Sequence, residues 1–261
     1  MRVLITGAAS GIGYEVGCEL ARRGHLVYFT THTVEQLYHL REKLKREKIE
    51  GLCFKLDITT DDIFLVDKLK IDCLINHAAI GIGGSLLYMD LEGLREVYEV
   101  NVFSSFRLLK RVYQNMERDK IAGKIFITSS ILSMMSLPFL GCYSSSKAAI
   151  SNLAKTLKIE LGYLRSDVQL SLIEPGAYHT GFNQVMIDNK SKYLESDNKI
   201  YHEMASVNRM QRNLFAILEK KEVTGLVKKI VTEVEKDKSK FLIRVPWIQG
   251  FFAKLMFFFN H

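Results

Sequence analysis

The strongest constraint in this sequence is a rhythm. Short apolar runs of β type alternate with longer stretches whose apolar residues recur every three or four positions. Residues 2–6, 25–31, 51–56, 71–75, 124–128 and 168–173 have the first pattern. Residues 11–23, 34–48, 61–69, 90–118 and 141–164 have the second. Strands joined through helices lie parallel, because each crossover returns the chain to the same end of the sheet. A helix over 222–236 and a strand over 241–245 complete the series. The expected fold class is α/β: a doubly wound parallel sheet of about seven strands with helices on both faces.

Composition allows one large core. Hydrophobic residues make up 48% and charged residues 25% of the 261, and only three prolines occur. No Gly/Ser- or Pro-rich linker and no solenoid-length repeat divides the chain, so one domain over 1–261 is expected. The net charge of +7 comes from Lys and Arg interleaved with Glu and Asp. That pattern marks solvated helix faces, and no nucleic-acid partner is expected. Cys18, Cys53, Cys73 and Cys142 are scattered, without C-x-x-C, and no histidine has metal-ligand spacing. No metal site is expected, and the cysteines read as core residues of a reducing compartment. The chain opens on a strand pattern, and no run reaches the ~18 apolar residues of a membrane span. The expected location is cytoplasmic.

Two local motifs carry chemistry. The first strand ends in Thr6-Gly7-Ala8-Ala9-Ser10-Gly11-Ile12-Gly13 and runs straight into a helix. Glycines there allow a tight turn and close backbone approach, and the helix start attracts a pyrophosphate. The second strand ends at Thr31, His32 and Thr33, where such folds read the adenosine ribose. No acid stands there to repel a 2′-phosphate, so NADP(H) is expected ahead of NAD(H). The other motif is Tyr143-Ser144-Ser145-Ser146-Lys147. Four residues apart on a helix, the phenol and the ammonium share a face, and the positive charge favours the phenolate. Cys142 beside them reads as packing.

Taken in order, these motifs resemble the short-chain dehydrogenase/reductase family over residues 1 to about 182. Thr6-Gly7-x-x-x-Gly11-Ile12-Gly13 matches its cofactor turn, and Asp57 matches the acid that contacts adenine. Asn76-His77-Ala78-Ala79 stands where the family usually has Asn-Asn-Ala-Gly, a departure at His77 and Ala79. Asn101, Ser130, Tyr143 and Lys147 match the catalytic tetrad. Ser130 lies 13 residues before Tyr143, the usual spacing, and is preferred to Ser129 and Ser133. Pro175-Gly176 and Thr180 match the nicotinamide segment.

The resemblance implies a Rossmann-like fold and an NAD(P)-dependent oxidoreductase. The expected cofactor contacts are Gly7, Ser10, Gly11, Ile12, Gly13, Thr31, His32, Asp57, Ile58, Asn76, Ala78, Tyr143, Lys147, Pro175, Gly176 and Thr180. Hydride passes between the nicotinamide and a carbonyl or carbinol carbon, and Tyr143 handles the proton. Lys147 lowers the Tyr143 pKa and bonds the nicotinamide ribose. Ser130 and Tyr143 hold the substrate oxygen, and Asn101 supports a water relay. A 3-oxoacyl thioester reductase of fatty-acid type, or a dinucleotide sensor without turnover, are the alternative readings.

Beyond residue 182 the pattern fades. Residues 183–218 mix Met and Tyr with charges, as expected of a helical cap over an apolar substrate. The rest, 219–261, holds the last helix and strand and a tail with Phe251, Phe252, Phe257, Phe258 and Phe259. Packing on the core or on another subunit is expected of that tail ahead of contact with a membrane surface. The helical stretches 90–118 and 141–164 carry apolar residues on more than one face. In the resembling family these helices build a twofold contact, so a homodimer or homotetramer is expected, with Phe103 or Leu157 near its axis.

Overall fold

A computed structural model of the chain describes residues 1–188, 209, 212 and 219–246. Most of the expected cap and the whole apolar tail lie outside the described residues. Seven strands form one sheet: β1 (Arg2–Ile5), β2 (Leu26–Thr31), β3 (Leu52–Lys55), β4 (Cys73–Asn76), β5 (Lys124–Thr128), β6 (Gln169–Pro175) and β7 (Leu242–Val245). Their order is β3-β2-β1-β4-β5-β6-β7, and every pairing is parallel.

The helices are α1 (Gly11–Arg22), α2 (Val34–Glu47), α3 (Leu91–Tyr98), α4 (Ser105–Arg118), α5 (Gly141–Tyr163), α6 (Phe182–Asp188) and α7 (Thr224–Glu235). Side chains of a strand alternate between faces, so β1 divides itself. Val3 and Ile5 join a core with Val16 and Leu20 of α1, Leu40 and Leu44 of α2, and Ile230 of α7. Leu4 joins the opposite core, with Leu108 and Val112 of α4 and Ile150, Ala154 and Leu161 of α5. The doubly wound sheet expected from the rhythm is what forms.

Two details differ from the sequence expectation. The single helix expected over 90–118 is interrupted: a π-helical stretch, Glu99–Ser104, separates α3 from α4. Such a wide turn inserts an extra residue without breaking apolar periodicity on either side, so the pattern does not reveal it. The segment over 61–69 is a 3₁₀ stretch, Asp61–Lys68.

The far end of the sheet is tied to its middle by a buried cation. Lys124, at the start of β5, is buried and sends its Nζ to the carbonyl of Val234, at 2.8 Å, and to that of Lys236. An ammonium there satisfies the carbonyls that the end of α7 leaves without partners.

Between β1 and β4 the strand order reverses direction. In an open parallel sheet the crevice at that point lies beyond the C-terminal strand ends, where the loops part to either side. Every remaining feature of the site follows from that position.

Candidate active site

The crevice opens into a cleft of about 1360 Å³. Its floor is the turn after β1. Thr6 fastens this turn to the end of β4: its Oγ1 accepts from His77 N and Ala78 N at 2.9 Å each and donates to Asn76 Oδ1 at 3.3 Å. Gly7 has φ +66° and lies so close to the next loop that a Cβ would sit 2.9 Å from Ala78 Cα. A Cβ on Gly13 would meet Gly7 O at 2.7 Å. Neither position has room for a side chain. Helix α1 starts at Gly11, makes no side-chain cap bond through Ser10, and has no acid in its first turn. Its free amides and positive end face a cleft lined by Gly7, Ser10, Gly11 and Ile12, which suits a diphosphate. The residues present therefore fit a dinucleotide.

The adenosine end is lined by His32, Gln36, Asp57 and Ile58. Burial works to raise the Asp57 carboxyl, but the Thr59 hydroxyl and amide, at 2.7 and 2.9 Å, and the His32 imidazole hold it below the usual range. His32 Nε2 lies 3.3 Å from Asp57 Oδ2. Arg107 of α4 steadies the loop by donating to Ile58 O at 2.9 Å. Thr31, expected to face the ribose, does not. It is 1% exposed, and its hydroxyl is spent on Thr33 O at 3.0 Å. The strand's alternation turns Thr31 inward and leaves His32 as the side chain at the cleft.

Ser130, Tyr143 and Lys147, the expected catalytic residues, meet where β5, α5 and the loop after β6 converge. Ser130 follows β5 and accepts from Leu132 N at 3.1 Å, which fixes its hydroxyl at the start of a short 3₁₀ turn. Tyr143 and Lys147 project from the first two turns of α5 into the same cleft. Burial pushes the Tyr143 phenol up, and a hydrogen bond with Ser130 partly opposes it. Burial pushes the Lys147 ammonium down to about 7. Lys147 Nζ donates to Thr128 O at 3.0 Å and lies 5.7 Å from the Tyr143 ring centroid. At the Tyr143 phenol, expected to be depressed by Lys147, burial is the larger influence and raises it.

Of the alternatives to Ser130, Ser129 is committed to other bonds and Ser133 lies off the cleft. Ser129 donates to Lys147 O at 2.9 Å and accepts from Ser151 at 2.6 Å. Ser133 is absent from the cleft wall. Three expected contacts stand behind that wall instead of on it. Gly13 is packed under Gly7, as above. Asn76 is 2% exposed and donates to the backbone and hydroxyl oxygens of Ser105 at 2.9 Å each. Asn101, in the π-helical stretch, accepts from Ile80 N at 2.9 Å and donates to Ile80 O at 2.9 Å and Ser146 Oγ at 3.0 Å. These bonds hold the loop after β4 against α5.

The far wall is apolar. Ile131, Leu132, Met135, Leu137, Phe182 and Val185 line it. The Phe182 ring stands 5.4 Å from that of Tyr143, tilted by 54°. Pro175, Gly176 and Thr180 border the cleft, and Thr180 reaches across to Gly11, where a Cβ would meet it at 3.1 Å. Just behind, buried Glu174 accepts from Arg244 of β7, at 2.8 Å from Nε, which fixes the base of the loop. Ala78 lines the wall as expected.

His77 is among the cleft residues that the sequence reading assigned no role. His77 lines the cleft with its Nδ1 3.1 Å from Thr128 Oγ1. Its departure from the usual motif was the signal, but only the β4–β5 pairing shows what the ring reaches. Among the described residues, no group of three His, Cys, Asp or Glu is arranged to hold a metal ion. No helix among them is long and apolar enough to cross a membrane.

Residues 1–191 match the family described as short chain dehydrogenase. The 3-ketodihydrosphingosine reductase of Bacteroides thetaiotaomicron is 28% identical over 262 residues, covering 97% of this chain and 90% of that protein. Bovine retinol dehydrogenase 8 is 29% identical over 199 residues, covering 72% of this chain; the match spans 62% of that protein's length. Among solved structures, a short chain dehydrogenase/reductase from Burkholderia phymatum in complex with NAD superposes with a TM-score of 0.82 at 22% identity, over 97% of this chain and 92% of that one.

Proposed function

The chain belongs to the short-chain dehydrogenase family, and on that premise we propose that it is an NAD(P)-dependent oxidoreductase acting on a carbonyl or secondary alcohol of an apolar substrate. The observation that carries this reading is the meeting of Ser130, Tyr143 and Lys147 on one cleft wall above a glycine floor. The dinucleotide supplies or takes the hydride when bound. The chain's own groups do the rest. Tyr143 gives its proton to the substrate oxygen in reduction and takes it back in oxidation. Ser130, bonded to the phenol, orients that oxygen. Burial raises the phenol, so Tyr143 holds at neutral pH the proton that reduction requires. Lys147 would hold the nicotinamide ribose, Asp57 and Ile58 the adenine, and Pro175, Gly176 and Thr180 the nicotinamide.

NADP(H) is the proposed cofactor, because His32 and not an acid faces the ribose position. The apolar wall supports a long apolar substrate, in keeping with the names of the Bacteroides and bovine relatives, and the Bacteroides name adds a ketone. The test is a reductase screen with NADPH and NADH against long-chain ketones, retinoids and 3-oxoacyl thioesters. Turnover of the ketones is expected. Preference for the acyl thioesters would favour the fatty-acid reading, and binding without turnover the sensor reading. The cytoplasm is the proposed location.

A homodimer or larger homo-oligomer is also proposed. Phe103, beside α4, and Ile159 and Tyr163 of α5 are 60%, 62% and 87% exposed, and Leu157 is half-buried between them and the core. Surplus apolar surface on two adjacent helices suits a symmetric contact. Light scattering on the purified chain is expected to give at least twice 29.9 kDa. A stable monomer at micromolar concentration would refute it.

A further inference from the structure

From the way β4, β5 and the glycine floor meet at one imidazole, we infer that His77 is a positioning residue for the Lys147 ammonium. This inference rests on the nucleotide-binding reading above. Two hydrogen bonds join at Thr128. His77 Nδ1 is 3.1 Å from the Thr128 hydroxyl, and the Thr128 carbonyl accepts from Lys147 Nζ at 3.0 Å. On its other side the ring touches the phosphate cradle: its Cδ2 lies 3.0 Å from where a Cβ of Gly13 would be. The backbone amide of His77 is itself held by Thr6 Oγ1 at 2.9 Å. One side chain thus spans the turn after β1, the end of β4 and the end of β5, and sets the carbonyl that holds the ammonium.

The electrostatics agree with this arrangement. Burial, and then the Lys147 charge, push the His77 imidazole down to about 4. It is neutral wherever the enzyme would work, so it adds no second positive charge beside Lys147. The groups packed on it from the other elements are Gly13 of α1, Thr6 after β1 and Thr128 of β5, all uncharged. The charge that reaches the ring is therefore that of Lys147. An asparagine in this place, the residue usual in the family, is shorter and carries an amide in place of the ring. The ring fills the space under the cradle as well as reaching Thr128.

The consequence has a sign. The bond to Thr128 O favours the charged form of Lys147, against the burial that holds it near 7. Loosening Thr128 removes that support. The ammonium is then lost at lower pH, and the affinity that depends on it falls off earlier as pH rises.

The experiment is titration of the full chain with NADPH and with NADH by fluorescence from pH 5.5 to 9, for wild type, His77→Leu, His77→Asn and Thr128→Val. In His77→Leu and Thr128→Val the alkaline fall in affinity is expected to move down by about half a pH unit or more. Affinity at pH 8 should drop about three- to tenfold. His77→Asn is expected to recover most of the wild-type profile if its amide reaches Thr128. A merely structural role would weaken binding equally at every pH without moving the fall. That result, or wild-type titrations from His77→Leu and Thr128→Val, overturns the inference. Should His77→Leu fail to give the wild-type circular dichroism spectrum, Thr128→Val decides alone, since it breaks the same bond from the other side. Absence of any NADPH or NADH binding by the wild type would refute the nucleotide-binding reading and this inference with it. Binding by the wild type with an unmoved fall in the variants refutes this inference only.

Discussion

The two halves of the cleft are made from different materials. Below β1 and β2 the wall is largely backbone: glycines on which a Cβ would stand 2.7–2.9 Å from neighbouring backbone, exposed amides at the start of α1, and a threonine binding three groups of the neighbouring loop. Beyond β5 and β6 the wall is side chain: Leu132, Leu137, Phe182 and Val185 around the Tyr143 phenol. Backbone at van der Waals limits accepts no change of size, whereas a wall of aliphatic and aromatic ends can be recut residue by residue. The first half suits a ligand that never varies. The second suits one that differs from relative to relative.

Five changes would break or sharpen that contrast. The largest effect belongs to Tyr143→Phe, which removes the transferable proton and little else. Its kcat is expected to fall about 10²–10⁴-fold with NADPH affinity within about threefold of wild type. Turnover within tenfold would remove Tyr143 from its role. Next comes Gly13→Ala, whose methyl must displace the Gly7 carbonyl. Isothermal titration should give nucleotide affinity lower by about 10- to 100-fold, with a Tm loss of several degrees. An affinity equal to wild type would mean that the floor yields more than its packing implies.

Phe182→Ala opens the apolar wall beside the phenol. KM for an apolar ketone should rise about 5- to 30-fold while NADPH affinity stays unchanged, splitting the two halves by kinetics. A parallel change in both constants would show the halves to be coupled. The smallest effect is expected of His32→Asp, a shift of about tenfold in relative affinity from NADPH toward NADH. Thr31→Asp, by contrast, places a carboxylate at a buried position and should lower Tm without changing that preference. If Thr31→Asp alone alters the preference, the assignment of the ribose to His32 fails.

Much of this molecule could be read before any coordinates. The alternation of apolar period fixes a parallel sheet because crossovers allow little else, and the glycines between residues 7 and 13 mark the crevice. What escaped was decided by registration between strands distant in sequence. Thr31 and His32 are adjacent letters, and only the pairing of Thr31 with Lys55 at the end of β2 shows which one leaves the sheet. The reach of His77 to Thr128 crosses 51 positions and depends on Asn76 lying opposite Ile127. Asn101 was found by the family resemblance, yet its side-chain partners, Ile80 and Ser146, come from a loop and a helix that the motif does not bring together. At Tyr143, four residues of separation put a charge near the phenol but say nothing of the water that both groups have lost on burial.

The ammonium of Lys124 has a consequence for how the chain comes off the ribosome. Its partners, the carbonyls of Val234 and Lys236, are translated 110 and 112 residues after it. A nascent chain that has emerged only through β6 holds the strands flanking β5 but not the carbonyls that receive this ammonium. The tie between β5 and the end of α7 can form only once α7 is outside the exit tunnel. Nascent chains arrested before residue 234 are expected to be protease-sensitive, and those arrested after α7 has cleared the tunnel to be resistant.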